Sequence, residues 1–361
     1  MNLKLWMPIL GFAGVFAVAF FPRFSARAGE VPSGAGYKVL EPIRHGNLTV
    51  FPVVAAISHD TQQFLTLDEG VRSGEVVVTE SGNVQPLMRR RPTTVSHDGA
   101  QVNQLVLVNN SKRPLILLAG EIVTGGKQDR VIGKDRLVPA ESDPIDLSVF
   151  CVEPGRWTAS SSSFGSMGFA MAQPAVRGKA MGAKDQGEVW SAVRKQQADL
   201  SSNLAAPQAA AVGGTTSYAR VMANEAVKQQ VDSVAEPIQR SYLSLIQQLR
   251  DRNAVGVVVA VNGEIVWADI FASTNLLEKY WPKLVRSYAA EAIVKQTGAR
   301  EVGVNSAQEF LNQMQGRRET VENEPGLYRH TEITGEGFKA FELTSLLPKT
   351  GFDLHVAKMS E

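Results

Sequence analysis

Residues 256–269 read Gly256-Val257-Val258-Val259-Ala260-Val261-Asn262-Gly263-Glu264-Ile265-Val266-Trp267-Ala268-Asp269. Runs rich in β-branched residues flank Asn262-Gly263, a dipeptide that two-residue hairpins favour because both central residues take positive φ. The stretch predicts an antiparallel hairpin with strands over 256–261 and 264–269. Helical periodicity lies on either side of it. Upstream, 188–203 carries Val189, Trp190, Val193 and Leu200 at helical spacing, and 217–251 carries Val231, Ala235, Ile238, Tyr242, Leu245 and Leu249. Pro237 is expected to kink this second helix or start it afresh, and the Ala/Gly-rich residues 205–214 read as a break before it. Downstream, Ser273 or Thr274 caps a helix with Leu277, Trp281, Leu284, Tyr288 and Ala292 inward, stopping at Gly298.

Outside this centre the period is two. Residues 47–54, 75–79, 104–108, 114–118 and 146–152 are short, apolar and bounded by turn residues, and 337–346 and 352–357 close the chain in the same way. Strands, helices, hairpin, helix, strands is an α+β order rather than a regular βαβ alternation. The expectation is a single domain over 37–357, mainly an antiparallel β-sheet or sandwich. A helical insertion lies at its centre, and a helix-plus-strands section forms its C-terminal part. Residues 159–187 hold four consecutive serines and several glycines and alanines, which reads as a flexible loop, either a connector or a mobile lid.

The first 28 residues have the parts of an export signal: Lys4, an apolar run over 5–21, and Ala26-Arg27-Ala28 ahead of Gly29. The run is close to the roughly 20 residues that span a bilayer, so an uncleaved N-terminal anchor is the alternative, and the membrane is a partner only in that case. The expected location is the periplasm or the extracellular space. A formal net charge of +1 gives no reason to expect nucleic acid. The one cysteine, Cys151, excludes an intramolecular disulfide. Five histidines, His45, His59, His97, His330 and His355, form no metal-ligand spacing. Ser58-His59-Asp60 and Ser96-His97-Asp98 read as turns, because triad members converge across space rather than along the chain. No motif names a cofactor.

One polar stretch stands out. Gly120-Glu121 leads through Gly125-Gly126 into Lys127-Gln128-Asp129-Arg130. Glycines let a backbone turn tightly and let a ligand approach. Lys127 and Arg130 suit a phosphate or carboxylate, and Glu121 suits proton transfer. The same stretch also reads as a hairpin turn with solvated charges. It is not a phosphate-binding P-loop: five residues separate Gly120 from Gly126, and Gln128 stands where a hydroxyl is needed. Further on, Cys151, Glu153, Arg156 and Trp157 gather at a strand end. Cys151 as a nucleophile requires a depressed pKa, which Lys127 or Arg156 would have to supply; as a small buried hydrophobe it requires nothing. Glu153 and Arg156 read first as a structural ion pair and otherwise as site residues.

Gly120-Glu121, Gly126-Lys127-Gln128-Asp129-Arg130 and Cys151-Val152-Glu153-Pro154-Gly155-Arg156-Trp157 together resemble the ARG and Rhodanese-Phosphatase-superfamily-associated protein family. That family's pattern reads G-E-x-x-x-G-A-K-Q-N-R, then C-V-E-x-G-R-W. The likeness continues through Val189-Trp190, Ala268-Asp269-Ile270-Phe271 and the run from Lys279 to Tyr288, and so covers nearly the whole chain after residue 28. Gly126 stands where the family has alanine and Asp129 where it has asparagine, and the added charge weakens an anion site between Lys127 and Arg130. The family name implies a link to ADP-ribose-like ligands and carries no mechanism.

Two functions fit. One is an exported scaffold or interaction module in which these side chains knit the sheet ends together. The other is a small-molecule-binding or hydrolytic domain for a phosphate- or sugar-containing ligand. There Glu121, Lys127, Cys151 and Glu153 would do chemistry, while Gly125, Gly126, Gln128, Arg130, Arg156 and Trp157 bind. The second requires these groups to converge on an open cavity.

Overall fold

The computed structural model describes residues 36–81, 101–250, 252–295, 300–321 and 324–361. The expected signal at 1–28, the turn at His97 and the helix stop at Gly298 lie outside the described residues. The chain opens with β1 (Tyr37–Val39), β2 (Ile43–His45), β3 (Leu48–Ala55), β4 (Leu65–Thr66), α1 (Leu67–Ser73) and β5 (Val76–Thr79). Next come β6 (Gln104–Asn109), β7 (Leu115–Leu117), β8 (Ile122–Gly125), β9 (Arg130–Ile132), β10 (Arg136–Val138), β11 (Ile145–Cys151) and β12 (Phe164–Ser166). The helical section holds α2 (Pro174–Gly178), which runs into a π-helical turn at Lys179–Ala183, then α3 (Gln186–Ser202), α4 (Ala206–Gly213), α5 (Tyr218–Ala223) and α6 (Glu225–Gln248). The hairpin β13 (Asn253–Val261) and β14 (Glu264–Phe271) is followed by α7 (Thr274–Ile293) and α8 (Val304–Asn312). Strands β15 (Arg317–Val321), β16 (Tyr328–Gly335), β17 (Phe338–Ser345) and β18 (Asp353–Ser360) end the chain. The protein is α+β.

The predicted hairpin sits near the middle of the largest sheet. Among the described residues that sheet has nine strands in the order β1-β3-β13-β14-β18-β17-β16-β15, with β2 also on β3. Asn262 and Gly263 take φ of 55° and 74°, and a Cβ on Gly263 would lie 2.4 Å from the Arg300 carbonyl oxygen. Strand β13 is buried on both faces, which explains its unbroken apolar run. Val257, Val259 and Val261 enter a core shared with α6 and α7, while Val258 and Ala260 face α8 through Ala307 and Leu311. Each large side chain so buried contributes about 1.5–3 kcal/mol. A second part pairs a six-stranded sheet, β12-β8-β9-β11-β6-β5, with a three-stranded one, β10-β7-β4, over its own core of Leu105, Leu107, Leu115, Leu117 and Val149.

A buried polar network joins these layers. Asp269 on β14 meets Arg177 of α2 at 2.9 Å, and both are buried. Tyr288 of α7 donates to the same Asp269 oxygen, and His355 Nε2 of β18 contacts the other at 3.0 Å. His355 Nδ1 reaches Asp135, in the β9–β10 turn, at 2.6 Å, and Asp135 accepts the Ala119 N–H at 2.7 Å. Arg177 also lies 4.7 Å over the Trp267 ring, a cation–π contact. Burial alone would raise Asp269, but Arg177 and His355 outweigh it and hold the carboxyl well below the usual range. Burial would likewise lower His355, yet Asp135 and Asp269 raise it.

Three expectations are corrected. Residues 159–187 are not a loop throughout: they hold β12, α2 and the π-helical turn, with Phe164, Met167, Met171, Val176 and Met181 buried. Aperiodic apolar anchors, rather than overall composition, decide that segment. The supposed break at 205–214 is α4, since alanine favours helix and Pro207 sits in its first turn, where it costs little. The helix over 217–251 divides at Asn224, whose side chain accepts the Ala226 and Val227 N–H groups, and α6 continues through Pro237.

Replacing Arg177 with methionine leaves Asp269 without its guanidinium partner and is expected to cost about 3–5 kcal/mol of stability, measured by denaturant unfolding. Linkage sets the pH signs. Asp135 and Asp269, held low in the fold, add stability above the ordinary aspartate value of about 3.9 and lose it as pH falls through their folded values. His355, raised, adds stability fully present below about pH 6.5 and lost as pH climbs through its folded value. Calorimetry over a pH series checks both limbs, and a profile flat from neutral to alkaline pH would contradict a buried imidazolium.

Candidate functional site

The turn between β8 and β9 carries the densest polar chemistry. Gly125 and Gly126 take φ of 127° and 48°, and a Cβ on Gly126 would fall 2.2 Å from the Phe164 ring. Only glycine fits there. Arg156 fixes the turn from outside, donating to the carbonyl oxygens of Gly126 at 2.8 Å, Thr158 at 2.9 Å and Gly125 at 3.3 Å. It also donates to Glu153 Oε2 at 2.5 Å and lies 3.5 Å from Asp129 Oδ1. Glu153 Oε2 accepts the Asp129 N–H at 3.0 Å. Asp129 in turn accepts the Gly125 N–H at 3.1 Å and the Ser217 hydroxyl at 2.7 Å. Two carboxylates and one guanidinium thus form a closed triad.

The triad opens on a cleft of about 410 Å³. Gly125, Asp129, Glu153 and Arg156 line it together with Thr124 and Ser160. Ser160, Ser166, Met167 and Phe169 come from the segment 159–187 that reads in sequence as a connector or a lid, and Ala219, Arg220 and Ala223 come from α5. Burial pushes the Asp129 carboxyl above its ordinary value, and the Glu153 charge adds to that against the Ser217 hydrogen bond. The Glu153 hydrogen bond raises Arg156 and keeps it charged.

The other predicted residues lie elsewhere. Glu121 is buried, paired with Lys283 of α7, and its Oε2 accepts the Leu118 N–H at 2.8 Å. Burial raises its carboxyl despite Lys283. Lys283 also holds Asp68 at 2.7 Å, and Ser166 donates to that Asp68, tying one cleft wall to this inner pair. Gln128 donates to the Glu153 carbonyl oxygen at 3.1 Å, and Arg130 donates to those of Val102 and Gln128, both at 2.7 Å; both side chains are buried. Lys127 stacks on the Trp157 ring at 4.9 Å, away from the cleft lining. Cys151 is fully buried, and burial pushes its thiol up, the reverse of what an activated nucleophile needs.

Sequence reasoning missed Phe169, Ser217 and Arg220. Phe169 was hidden in a segment read by its small residues, and Arg220 sits in a helix with no motif. Asp129, read only as weakening an anion site, is central to the cleft. Among the described residues no group of three His, Cys, Asp or Glu side chains is arranged to hold a metal ion. A soluble thiol reagent is expected to leave Cys151 unmodified in the native protein and to modify it fully after denaturation. Fast native modification, followed by absorbance, would contradict the burial.

The chain matches the ARG and Rhodanese-Phosphatase-superfamily-associated Protein domain over residues 36–357. No curated protein and no solved structure gives a significant match. With nearly all of the described residues inside that match, the chain belongs to the ARG and Rhodanese-Phosphatase-superfamily-associated Protein domain family.

Proposed function

We propose that the chain is an exported ligand-binding domain whose cleft holds a small polar molecule of the phosphate- or sugar-containing class. The observation that carries this reading is the triad of Asp129, Glu153 and Arg156 facing an open cleft, whose volume of about 410 Å³ falls within the usual range for small-molecule sites. Within it, Asp129 is the group suited to proton transfer, because its carboxyl is raised and partly desolvated. Cys151 and Lys127 take no part.

The scaffold reading draws support from a different observation. Glu121, Gln128 and Arg130 are buried and engaged by partners within the chain, which is how structural cross-links behave. The two readings divide the polar stretch between them, with inward residues holding the fold and cleft residues meeting the ligand. Export rests on Lys4, the apolar run and Ala26-Arg27-Ala28. Mass spectrometry of the chain recovered from intact cells is expected to find Gly29 at the N-terminus, and an intact Met1 end would indicate an anchor.

Ala223 is exposed and lines the cleft. Replacing it with tryptophan is expected to fill the cleft and abolish ligand-induced thermal shifts, while unfolding free energy changes by no more than about 0.5 kcal/mol. Lys127→Ala, outside the cleft, is expected to keep them. A metabolite panel that shifts the Ala223→Trp protein as much as the parent would sink the proposal.

A further inference from the structure

The cleft is chemically two-sided. Met167, Phe169, Ala219 and Ala223 are apolar, and Phe169 keeps 41% of its surface exposed. Ala219 and Ala223 stand one turn apart on α5 and so share a face, with Arg220 beside them. An exposed aromatic ring next to small side chains offers a flat apolar platform. Against it stand acceptors and hydroxyls. Carboxylates accept and do not donate, so they call for O–H or N–H groups on the ligand. Glu153 commits Oε2 to Asp129 and Arg156, while its Oε1 carries no hydrogen bond among the described residues. Thr124, Ser160 and Ser166 add hydroxyls to the lining.

The two arginines differ in kind. Arg156 is engaged by Glu153 and three carbonyl oxygens, so its charge serves the turn and offsets the carboxylates. Arg220 is exposed; its backbone N–H donates to the Ser217 hydroxyl at 3.1 Å, and its guanidinium makes no hydrogen bond or ion pair among the described residues. Its guanidinium is the cationic group in the lining that remains available to a ligand.

We infer that the cleft selects an anionic, hydroxylated ring, an acidic sugar, with Phe169 against the ring face, Glu153 receiving hydroxyl groups and Arg220 pairing with the acid. The inference rests on the proposed binding function and narrows it. A neutral sugar would leave Arg220 unpaired, and an acid without a ring would bring its charge toward Asp129 and Glu153 while leaving Phe169 uncovered. Carboxylate and phosphate both suit a guanidinium, so the acid's source is for experiment to decide.

Isothermal titration of the purified chain with glucuronate, glucose phosphate, glucose and succinate tests this. At least one of the two acidic sugars is expected to bind about tenfold or more tighter than both glucose and succinate, and the tighter of the two identifies the acid. Arg220→Gln is expected to reduce the acidic sugar to the glucose level while leaving glucose unchanged, and Phe169→Ala to weaken every ring probe without affecting succinate. The inference is overturned if glucose or succinate binds as tightly as the acidic sugars, or if Arg220→Gln keeps the preference. It is overturned alone, with the broader reading intact, if none of the four binds but another compound gives a thermal shift that Ala223→Trp abolishes. If no compound does so, both fall together.

Discussion

Arg177 and Asp269 meet at 2.9 Å where neither side chain reaches solvent. Such a pair is tolerable only when its remaining protons and lone pairs are also met, because the cost of removing charge from water exceeds what one contact returns. The structure meets those of the carboxylate by extension: Tyr288 and His355 complete Asp269 and Asp135 completes His355, whereas Arg177 has the Trp267 ring over its guanidinium face and no hydrogen-bond partner for Nε and Nη2 among the described residues. Two carboxylates, one imidazolium and one guanidinium leave the set neutral. Strands β14 and β18, helices α2 and α7 and the β9–β10 turn are thereby tied to one point. None of them can shift far without uncovering a charge, which makes the layer arrangement specific as well as stable. A chain with one cysteine has no disulfide to serve that purpose.

A second lock depends on the same helix. Lys283 joins Glu121 and Asp68, and one turn earlier Lys279 pairs with Glu69 at 2.9 Å. Helix α7 thus presents Lys279, Tyr280, Lys283 and Tyr288 to the β-rich parts: its ionic contacts reach α1 and the β7–β8 turn, and its tyrosine hydroxyls donate to β7 and β14. The cleft is built at the margin of this framework. Ser166 in its wall donates to Asp68, and Ser217, which begins α5, donates to Asp129. Its two sides are therefore held by different fixed points, one through Ser166 and the other through Ser217 at the start of α5.

The hairpin was legible because its information is local: two positive φ angles at adjacent residues leave Asn-Gly few rivals. The amphipathic helices were legible for the same reason, since period and burial agree in α3 and α6. Residues 159–187 were not, because Phe164, Met167 and Met171 find their places through contacts that no period records. The candidate site was legible as a region and not as an arrangement. Glu121 and Asp129 lie in one short stretch, yet Glu121 turns inward to a lysine 162 residues away and Asp129 to a serine 88 residues away. What decides their roles is written elsewhere in the chain.

Asp129 shows why adding charges along a sequence misjudges a site. Between Lys127 and Arg130 it reads as a negative charge that spoils a cationic cradle. In the fold Lys127 and Arg130 both lie over the Trp157 ring, at 4.9 and 6.0 Å, with Arg130 also donating inward to carbonyl oxygens, while Asp129 goes to the cleft. The charges that act on Asp129 are those of Glu153, which raises its carboxyl, and of Arg156, 27 positions away in sequence and 3.5 Å away in space, which opposes that rise. Coulomb energy follows distance and local dielectric, not chain position. With that guanidinium held by the turn, the carboxylates remain hydrogen-bond acceptors more than a barrier, and the charge selectivity of the cleft passes to whichever cation the fold leaves uncommitted. Among the described lining residues that cation is Arg220.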